Sequence, residues 1–315
     1  MKWNKTCFPE NVRTRQENII VRLPGVIGLA QNAQTLFKTW QLFFDDDIVM
    51  DLVNSTNIYI ESISQRFKNK SDVRPADVIE MRALIGLLYL PGVYHGERTL
   101  IFKFWSRDGT GVEIFPAITA LRRFRFLLRC LGMDDIHTRE ERKSEDNLAP
   151  IRKVFEAVMQ NCQKHYSVGK HTTIDEMLWA CRFRMYIPNK PARYGLKFSL
   201  TDPKSFYTLN MEMYCGKQPA GAYSVSNNGF DVVERLCLPI SKSRRNVTMD
   251  NWFSSVEVAN RLLNNHQLTI VGTLRKNKRQ ITKKEFFTVR PEKSSMFGFT
   301  KDLTIVSYIP KKTSR

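Results

Sequence analysis

Along the first half of the chain apolar residues return every three or four positions, whereas along the second half they gather in short β-branched or alternating runs. The change falls near residue 168. Before it, Val78, Met81, Ile85 and Leu88 lie at helical spacing behind Pro75, with Asp72 as a candidate cap and Pro91-Gly92 as the stop. A later segment puts Ile118, Leu121, Phe124, Leu128 and Leu131 on one side of a helix and Arg122, Arg125 and Arg129 on another. The stretch from Arg139 to Asn147 is charged densely enough to predict an exposed loop. Beyond residue 169, Thr172–Asp175, Arg182–Ile187 and Phe206–Tyr214 read as strands. Val247–Asp250 and Gln267–Leu274 read as two more, separated by a helix bearing Trp252, Val256, Ala259 and Leu263. The order predicts three antiparallel strands followed by a β-α-β crossover. The chain thus divides into a polar, irregular arm (1–40), a helical domain (41–168) and a mixed α+β or α/β domain with flanking helices (169–315).

Charge sharpens this division. Of the formal +18, residues 1–167 contribute +4 (24 basic, 20 acidic) and residues 168–315 contribute +14 (25 basic, 11 acidic). A surplus confined to the sheet-forming half fits a polyanionic partner, although a merely solvated basic surface gives the same composition. A hydrophobic fraction of 42% is enough to build cores and argues against wholesale disorder. The cysteines (Cys7, Cys130, Cys162, Cys181, Cys215, Cys237) form no C-x-x-C pair and have no histidine at ligand spacing. That pattern fits neither a disulfide scaffold nor a zinc site, and it favours a reducing compartment. The longest apolar run, around Ala83 to Leu90, is too short to span a membrane, and the charged start Met1-Lys2-Trp3-Asn4-Lys5 is unlike a secretion signal. A cytosolic or nuclear protein is expected.

Two acidic strand ends carry the candidate chemistry. Thr173-Ile174-Asp175-Glu176 closes one apolar run, and Val247-Thr248-Met249-Asp250-Asn251 closes another just before a helix. A strand-end carboxylate is commonly a turn former or helix cap; beside cations and aromatic rings it also suits metal-assisted chemistry on a phosphate backbone. The cations are Arg184, Lys190, Arg193 and Lys197 after the first acidic strand, and Arg275, Lys276, Lys278 and Arg279 after the crossover. The Arg122, Arg125 and Arg129 row either lies along phosphates or is an ordinary exposed face. Tyr186 and Tyr194 either stack on unpaired bases or pack in a hairpin. Residues 275–279, with Lys283-Lys284 beyond, fit a nuclear address, a DNA-facing loop or a solvated loop equally well.

In order, T-I-D-E, F-R-M-Y-I-P-N-K-P, R-Y-G-L-K, N-V-T-M-D-N-W-F and T-I-V-G-T-L-R-K-N-K-R resemble the piggyBac family of DNA transposases and their domesticated relatives. The similarity runs from about residue 24 to Pro310 and includes Arg123-Phe124 to Arg129, Ser295 to Phe299 and Val306-Ser307-Tyr308. It implies a ribonuclease-H-like sheet, the fold the strand order also predicts, behind a helical DNA-binding or dimerisation domain, with the start of an inserted β region near the end. It implies a nuclear protein that binds double-stranded DNA as a possible homodimer, with Mg2+ or Mn2+ as cofactor if it is active. Asp175 and Asp250 take the places of the family's first two metal-binding aspartates. Glu176 and Asn251 are expected to cap or support them, and Trp252 and Phe253 to pack in the core.

The likeness departs from the family in two places. The third family aspartate has no counterpart before Arg315, and Asp302, in a Lys-Asp-Leu context, reads as a turn residue. Two divalent ions about 4 Å apart repel by roughly 16 kcal/mol at an effective dielectric near 20, so two carboxylates hold such a pair poorly. The sheet is therefore expected to be incomplete and the chain to be a C-terminally truncated relative. The hairpin between Glu176 and Phe183 is also short, which predicts an altered register beside Asp175. The favoured expectation is a transposon-derived DNA-binding protein without a complete catalytic site. The alternatives are an active transposase whose missing acid is supplied elsewhere, and a basic scaffold or RNA-associated protein.

Overall fold

The computed structural model describes residues 3–4, 18–68, 73–94, 100–177, 197–278, 280–281, 286 and 290–310, with the backbone alone at Lys197. They fall into two compact units: Val26–Tyr166 with Cys215–Val225, and Met1–Gly25 with Ser167–Tyr214 and Ser226–Arg315.

The first unit is helical: α1 (Leu36–Gln41), α2 (Asp46–Ile63), α3 (Val78–Val93), α4 (Ile114–Ile118), α5 (Leu121–Cys130), α6 (Arg139–Glu145) and α7 (Arg152–His165). Asp45 caps α2 through the Ile48 N–H (2.9 Å), and Asp77 caps α3 through the Glu80 N–H (2.8 Å). The cap of α3 is therefore Asp77; Asp72 lies outside the described residues. Pro91 does not stop α3, because it sits in the last turn and removes only one intrahelical bond. The core gathers Leu52 and Ile60 of α2, Met81 and Leu84 of α3, and Phe115, Phe124 and Leu127 around Trp105.

Two further sequence expectations fail in this unit. Ile118 belongs to α4, and the extended backbone at Thr119 and Ala120 resets the phase before α5 begins. The buried face of α5 is Phe124, Leu127 and Cys130, while Leu128 stays exposed. The charged stretch is also no loop. Residues Arg139–Glu145 form α6, from which Arg139 and Arg142 reach back to the buried Asp134 at 2.5 and 2.7 Å. Buried Asp146 takes a two-pronged grip from Arg152 and a 2.7 Å bond from Gln218 Nε2, which ties in the Cys215–Val225 segment. Arg152 also lies 4.6 Å over the ring of Tyr223.

The second unit is built on β1 (His171–Met177), β2 (Lys197–Asp202), β3 (Tyr207–Met213), α8 (Gly229–Cys237), β4 (Asn246–Met249), α9 (Val256–His266) and β5 (Thr269–Gly272). The sheet order is β3-β2-β1-β4-β5: an antiparallel meander, then β4 parallel to β1 and β5 parallel to β4. This is the expected ribonuclease-H-like mixed sheet, with one change. The central meander strand is Lys197–Asp202, outside the strands expected from the sequence, and the expected strand Arg182–Ile187 lies outside the described residues. The β1–β2 ladder runs without a bulge from Thr173↔Thr201 to Met177↔Lys197; the irregularity lies one strand away, between Leu200 and Thr201 in the β2–β3 pairing.

Alternation sorts the sheet's side chains. Thr172, Ile174, Phe198, Leu200, Val247 and Met249 are buried on one face, where α8 packs on β2 and β3 and α9 packs on β5. Ser255 caps α9 through the Val258 N–H, and the helix buries Val256, Ala259 and Leu262; Trp252 precedes it in a turn. A hairpin, β6 (Ser294–Phe299) with β7 (Thr304–Ile309), packs Met296 and Ile305 against Trp3, Ile281 and Phe286. Gly298 is required there, since a Cβ would stand 2.5 Å from the Phe286 ring. Asp302 lies in the hairpin turn, as its sequence context predicts. No helix among the described residues is long and apolar enough to cross a membrane.

Candidate active site

The parallel pairing of β1 with β4 runs from His171↔Asn246 to Ile174↔Met249. The next residue on each strand is an aspartate. Asp175 and Asp250 are 75 positions apart in sequence, yet they leave neighbouring parallel strands at one level, where strand axes lie about 4.8 Å apart. Ile174 and Met249 point into the core, so Asp175, one step along the pleat, faces the other way and is exposed; Asp250, just past the end of β4, is exposed too. On its other side Asp175 is paired with Ser199 of β2.

Each carboxylate commits one oxygen to the backbone. Asp175 Oδ1 accepts the Glu176 N–H at 2.8 Å. Asp250 Oδ1 accepts the Trp252 N–H at 2.8 Å and the Phe253 N–H at 3.4 Å, while its carbonyl accepts the Ser254 N–H at 3.0 Å. Asp250 thus forms the turn that launches α9, and the turn fixes where its carboxylate sits. Among the described residues neither aspartate has a cationic partner. Both offer hard oxygen donors of the kind Mg2+ and Mn2+ prefer. No group of three or more histidine, cysteine, aspartate or glutamate side chains suited to a metal occurs among the described residues. The pair itself supplies the donors of a single divalent-ion site.

Packing holds the Asp250 turn from below. Ser254 Oγ donates to the Met249 carbonyl at 3.4 Å, and the end of β5 passes so close that a Cβ on Gly272 would stand 2.1 Å from that Oγ. Phe253 is fully buried. Trp252 is not, contrary to expectation: its ring stacks on Phe198 (5.4 Å, 11° between planes) and covers that residue from outside. Asn251 accepts a 3.2 Å hydrogen bond from Arg275 Nε, so a guanidinium from beyond β5 is tied one residue away from Asp250.

Among the described residues, Arg275 is the predicted cation tied beside the acidic pair, through Asn251. Lys276 is exposed and Lys278 half-buried in the following turn, where the Lys278 N–H donates to the Arg275 carbonyl. Lys197 lies on β2 opposite Met177, two residues along the ladder from the Asp175 pairing. Arg184, Lys190, Arg193 and Arg279 lie outside the described residues, as do Tyr186 and Tyr194. Arg122, Arg125 and Arg129 are exposed on α5, in the helical unit. The unpredicted neighbour, Arg123, turns inward and grips Glu80 at 2.5 and 2.8 Å. Sequence reading also gave no role to Gly272 or Ser254; the glycine within T-I-V-G-T was their one visible trace.

A mixed sheet of this strand order, with acids at adjoining ends of its first and fourth strands, defines a ribonuclease-H-like transposase architecture. A family profile described as Transposase IS4 matches residues 33–315. The piggyBac transposase solved by cryo-electron microscopy as a synaptic complex with hairpin DNA aligns with a TM-score of 0.84 and 34% identity, over 92% of this chain and 61% of that one. The human PiggyBac transposable element-derived protein 3 is 22% identical over 249 residues, which is 75% of this chain and 39% of the relative. The human Chimeric ERCC6-PGBD3 protein is likewise 22% identical over 249 residues, 75% of this chain and 22% of its own length. The chain belongs to the Transposase IS4 family, in its piggyBac-type branch. It spans well under half the length of the human relatives it matches.

Proposed function

We propose that this chain is a transposon-derived DNA-binding protein on the piggyBac framework, which holds duplex DNA in the nucleus without by itself completing strand cleavage. The observation that carries the reading is the register-matched pair Asp175 and Asp250, exposed beside the Asn251–Arg275 contact, in a half of the chain with net charge +14. The carboxylates would hold one Mg2+ or Mn2+, which when bound supplies charge neutralisation and polarisation at a phosphoryl oxygen. The chain's own residues do the rest. The Asp250 turn fixes one ligand, β1 fixes the other, and Arg275 places a fixed positive charge where a phosphate would approach. Lys276 and Lys278 extend that charge, and Arg122, Arg125 and Arg129 offer a second cationic row. Arg184, Lys190, Arg193, Lys197 and Arg279 are assigned to the same DNA contact by sequence. The likeness to a synaptic complex supports a homodimer as the working assembly.

The test is duplex affinity as a function of salt, with cleavage followed in parallel. Affinity falling linearly on logarithmic axes, with no cutting in Mg2+ or Mn2+, is expected. The double substitution Lys276→Ala with Lys278→Ala is expected to weaken all duplex sequences alike and to reduce the salt slope by about 2. Salt-insensitive binding, or equal preference for RNA, contradicts the reading. The matched position of the two acids favours one alternative: an active transposase whose further acid comes from another subunit or from sequence beyond this chain. Cleavage abolished by Asp175→Asn and by Asp250→Asn would establish that alternative.

A further inference from the structure

The β6–β7 hairpin carries an aromatic face that the site described above does not use. Its register sets Ser295 opposite Tyr308, Phe297 opposite Val306 and Phe299 opposite Thr304, so these side chains share one face. The other face is spent on packing against Phe286 and Trp3. On the outward face Phe297, Val306 and Tyr308 remain 48%, 55% and 56% exposed. The Phe297 and Phe299 rings lie nearly parallel, 9° apart in plane with centroids 6.2 Å apart, so their flat sides line up along one strand. Cross-strand pairing explains why such residues suit a hairpin, but it does not explain why the sequence leaves three large apolar groups half uncovered on one small surface.

The segment that carries this face is strongly basic in sequence. Residues 275–315 hold 12 lysines and arginines against three acidic residues, a net +9, half of the whole chain's excess. Lys293, at the start of the hairpin, and Lys301, in its turn, are both exposed, with Glu292 and Asp302 beside them. Exposed rings on a segment of net positive charge suit a polyanion with accessible flat apolar groups. Duplex DNA offers the charge but hides its bases in the stack; single-stranded DNA offers both.

We propose that the outward face of the β6–β7 hairpin, centred on Phe297 and Tyr308, is a stacking platform for unpaired bases of single-stranded DNA. The inference rests on the DNA-binding reading and adds a second contact mode to it. The cations hold backbone in any form, and the rings add affinity only where bases are unstacked.

The experiment compares the full chain with Phe297→Ser/Tyr308→Ser and with the conservative Phe297→Tyr/Tyr308→Phe, using fluorescence anisotropy on a labelled oligothymidylate and on a labelled duplex at one salt concentration. The serine variant is expected to lose roughly 10-fold or more in oligothymidylate affinity while duplex affinity moves by less than about twofold. The conservative variant keeps both, because each ring keeps its flat face. Unchanged oligothymidylate binding in the serine variant overturns the platform. So does an equal loss on duplex, tighter binding of oligouridylate than oligothymidylate, or a change of oligomeric state on size exclusion, which would assign the face to a protein contact. Failure of the unsubstituted chain to bind duplex contradicts the proposed function itself and removes the platform with it. Duplex binding with a ring-independent oligothymidylate signal overturns the platform alone.

Discussion

The ion-paired acids of the helical unit and the two strand-end acids of the sheet are used in opposite ways. In the helical unit Asp134 and Asp146 are buried and Glu80 is half-buried, and all three are consumed: Asp134 by Arg139 and Arg142, Asp146 by Arg152 and Gln218, Glu80 by Arg123 and Arg74. In the sheet unit Asp175 and Asp250 stand exposed, are bonded to the N–H groups of their own turns, and lack a cationic partner among the described residues. A buried charge must be matched by the protein, because removing its partner leaves it unsolvated; an exposed one can wait for a ligand. An arginine partner therefore marks a structural acid, as it does for Glu212 with Arg235 in the sheet unit as well. Asp175 and Asp250 differ from these by standing exposed without one among the described residues.

The sharpest way to break this contrast is to remove one acid of each kind. Asp146→Ala takes the acceptor from half-buried Arg152, the Leu148 N–H and Gln218, leaving Arg152 with Glu156 as its carboxylate partner, and is expected to cost about 3 kcal/mol in urea unfolding. The same carboxyl gives a pH signature. Burial alone would raise its pKa, but the hydrogen bonds from Arg152, the Leu148 N–H and Gln218 outweigh burial and lower it. A folded-state pKa below the unfolded value contributes stability above about pH 4, which is lost as pH falls through the folded pKa. Stability of the unsubstituted chain should therefore drop on acidification below about pH 4, and the drop should be smaller in Asp146→Ala.

A middle-sized effect is expected at Gly272. Gly272→Ala drives a methyl into Ser254 Oγ and the Met249 carbonyl, at a cost of roughly 1–3 kcal/mol, and displaces the Asp250 turn. Pairing it with Ser254→Gly should recover most of that loss; no recovery would mean that the clash lies elsewhere. The smallest effect belongs to the candidate site. Asp175→Asn is expected to change stability by no more than about 0.5 kcal/mol, since an exposed carboxylate without a partner contributes little to folding. A larger destabilisation would place Asp175 with the structural acids.

Much of this was legible in the sequence, and the exceptions have physical causes. The strand order, the Asp250 crossover and the Asp302 turn follow from local period and turn chemistry. Strand β2 hides behind a conspicuous basic motif that Lys197 closes; the alternation of apolar Phe198 and Leu200 with polar Ser199 and Thr201 is its signal. Helix α8 was overlooked too, although Asn228 caps it and Val232, Val233 and Leu236 bury one side. Charge in the helical unit could not be sorted by local rules. Whether Arg122 or Arg123 turns inward depends on Glu80, 43 residues before Arg123, and the burial of Asp146 depends on Gln218, 72 residues after it. The strand-end acids were legible because each closes its own β-branched run, while their adjacency came only with the parallel register.

That adjacency is tested most directly by Mn2+ titration, read by electron paramagnetic resonance, of the unsubstituted chain, Asp175→Asn and Asp250→Asn. One ion per chain, weakened at least about 10-fold by either substitution alone, is the expected result. Mn2+ affinity unchanged by either substitution would contradict a shared site and leave the two aspartates as separate turn residues.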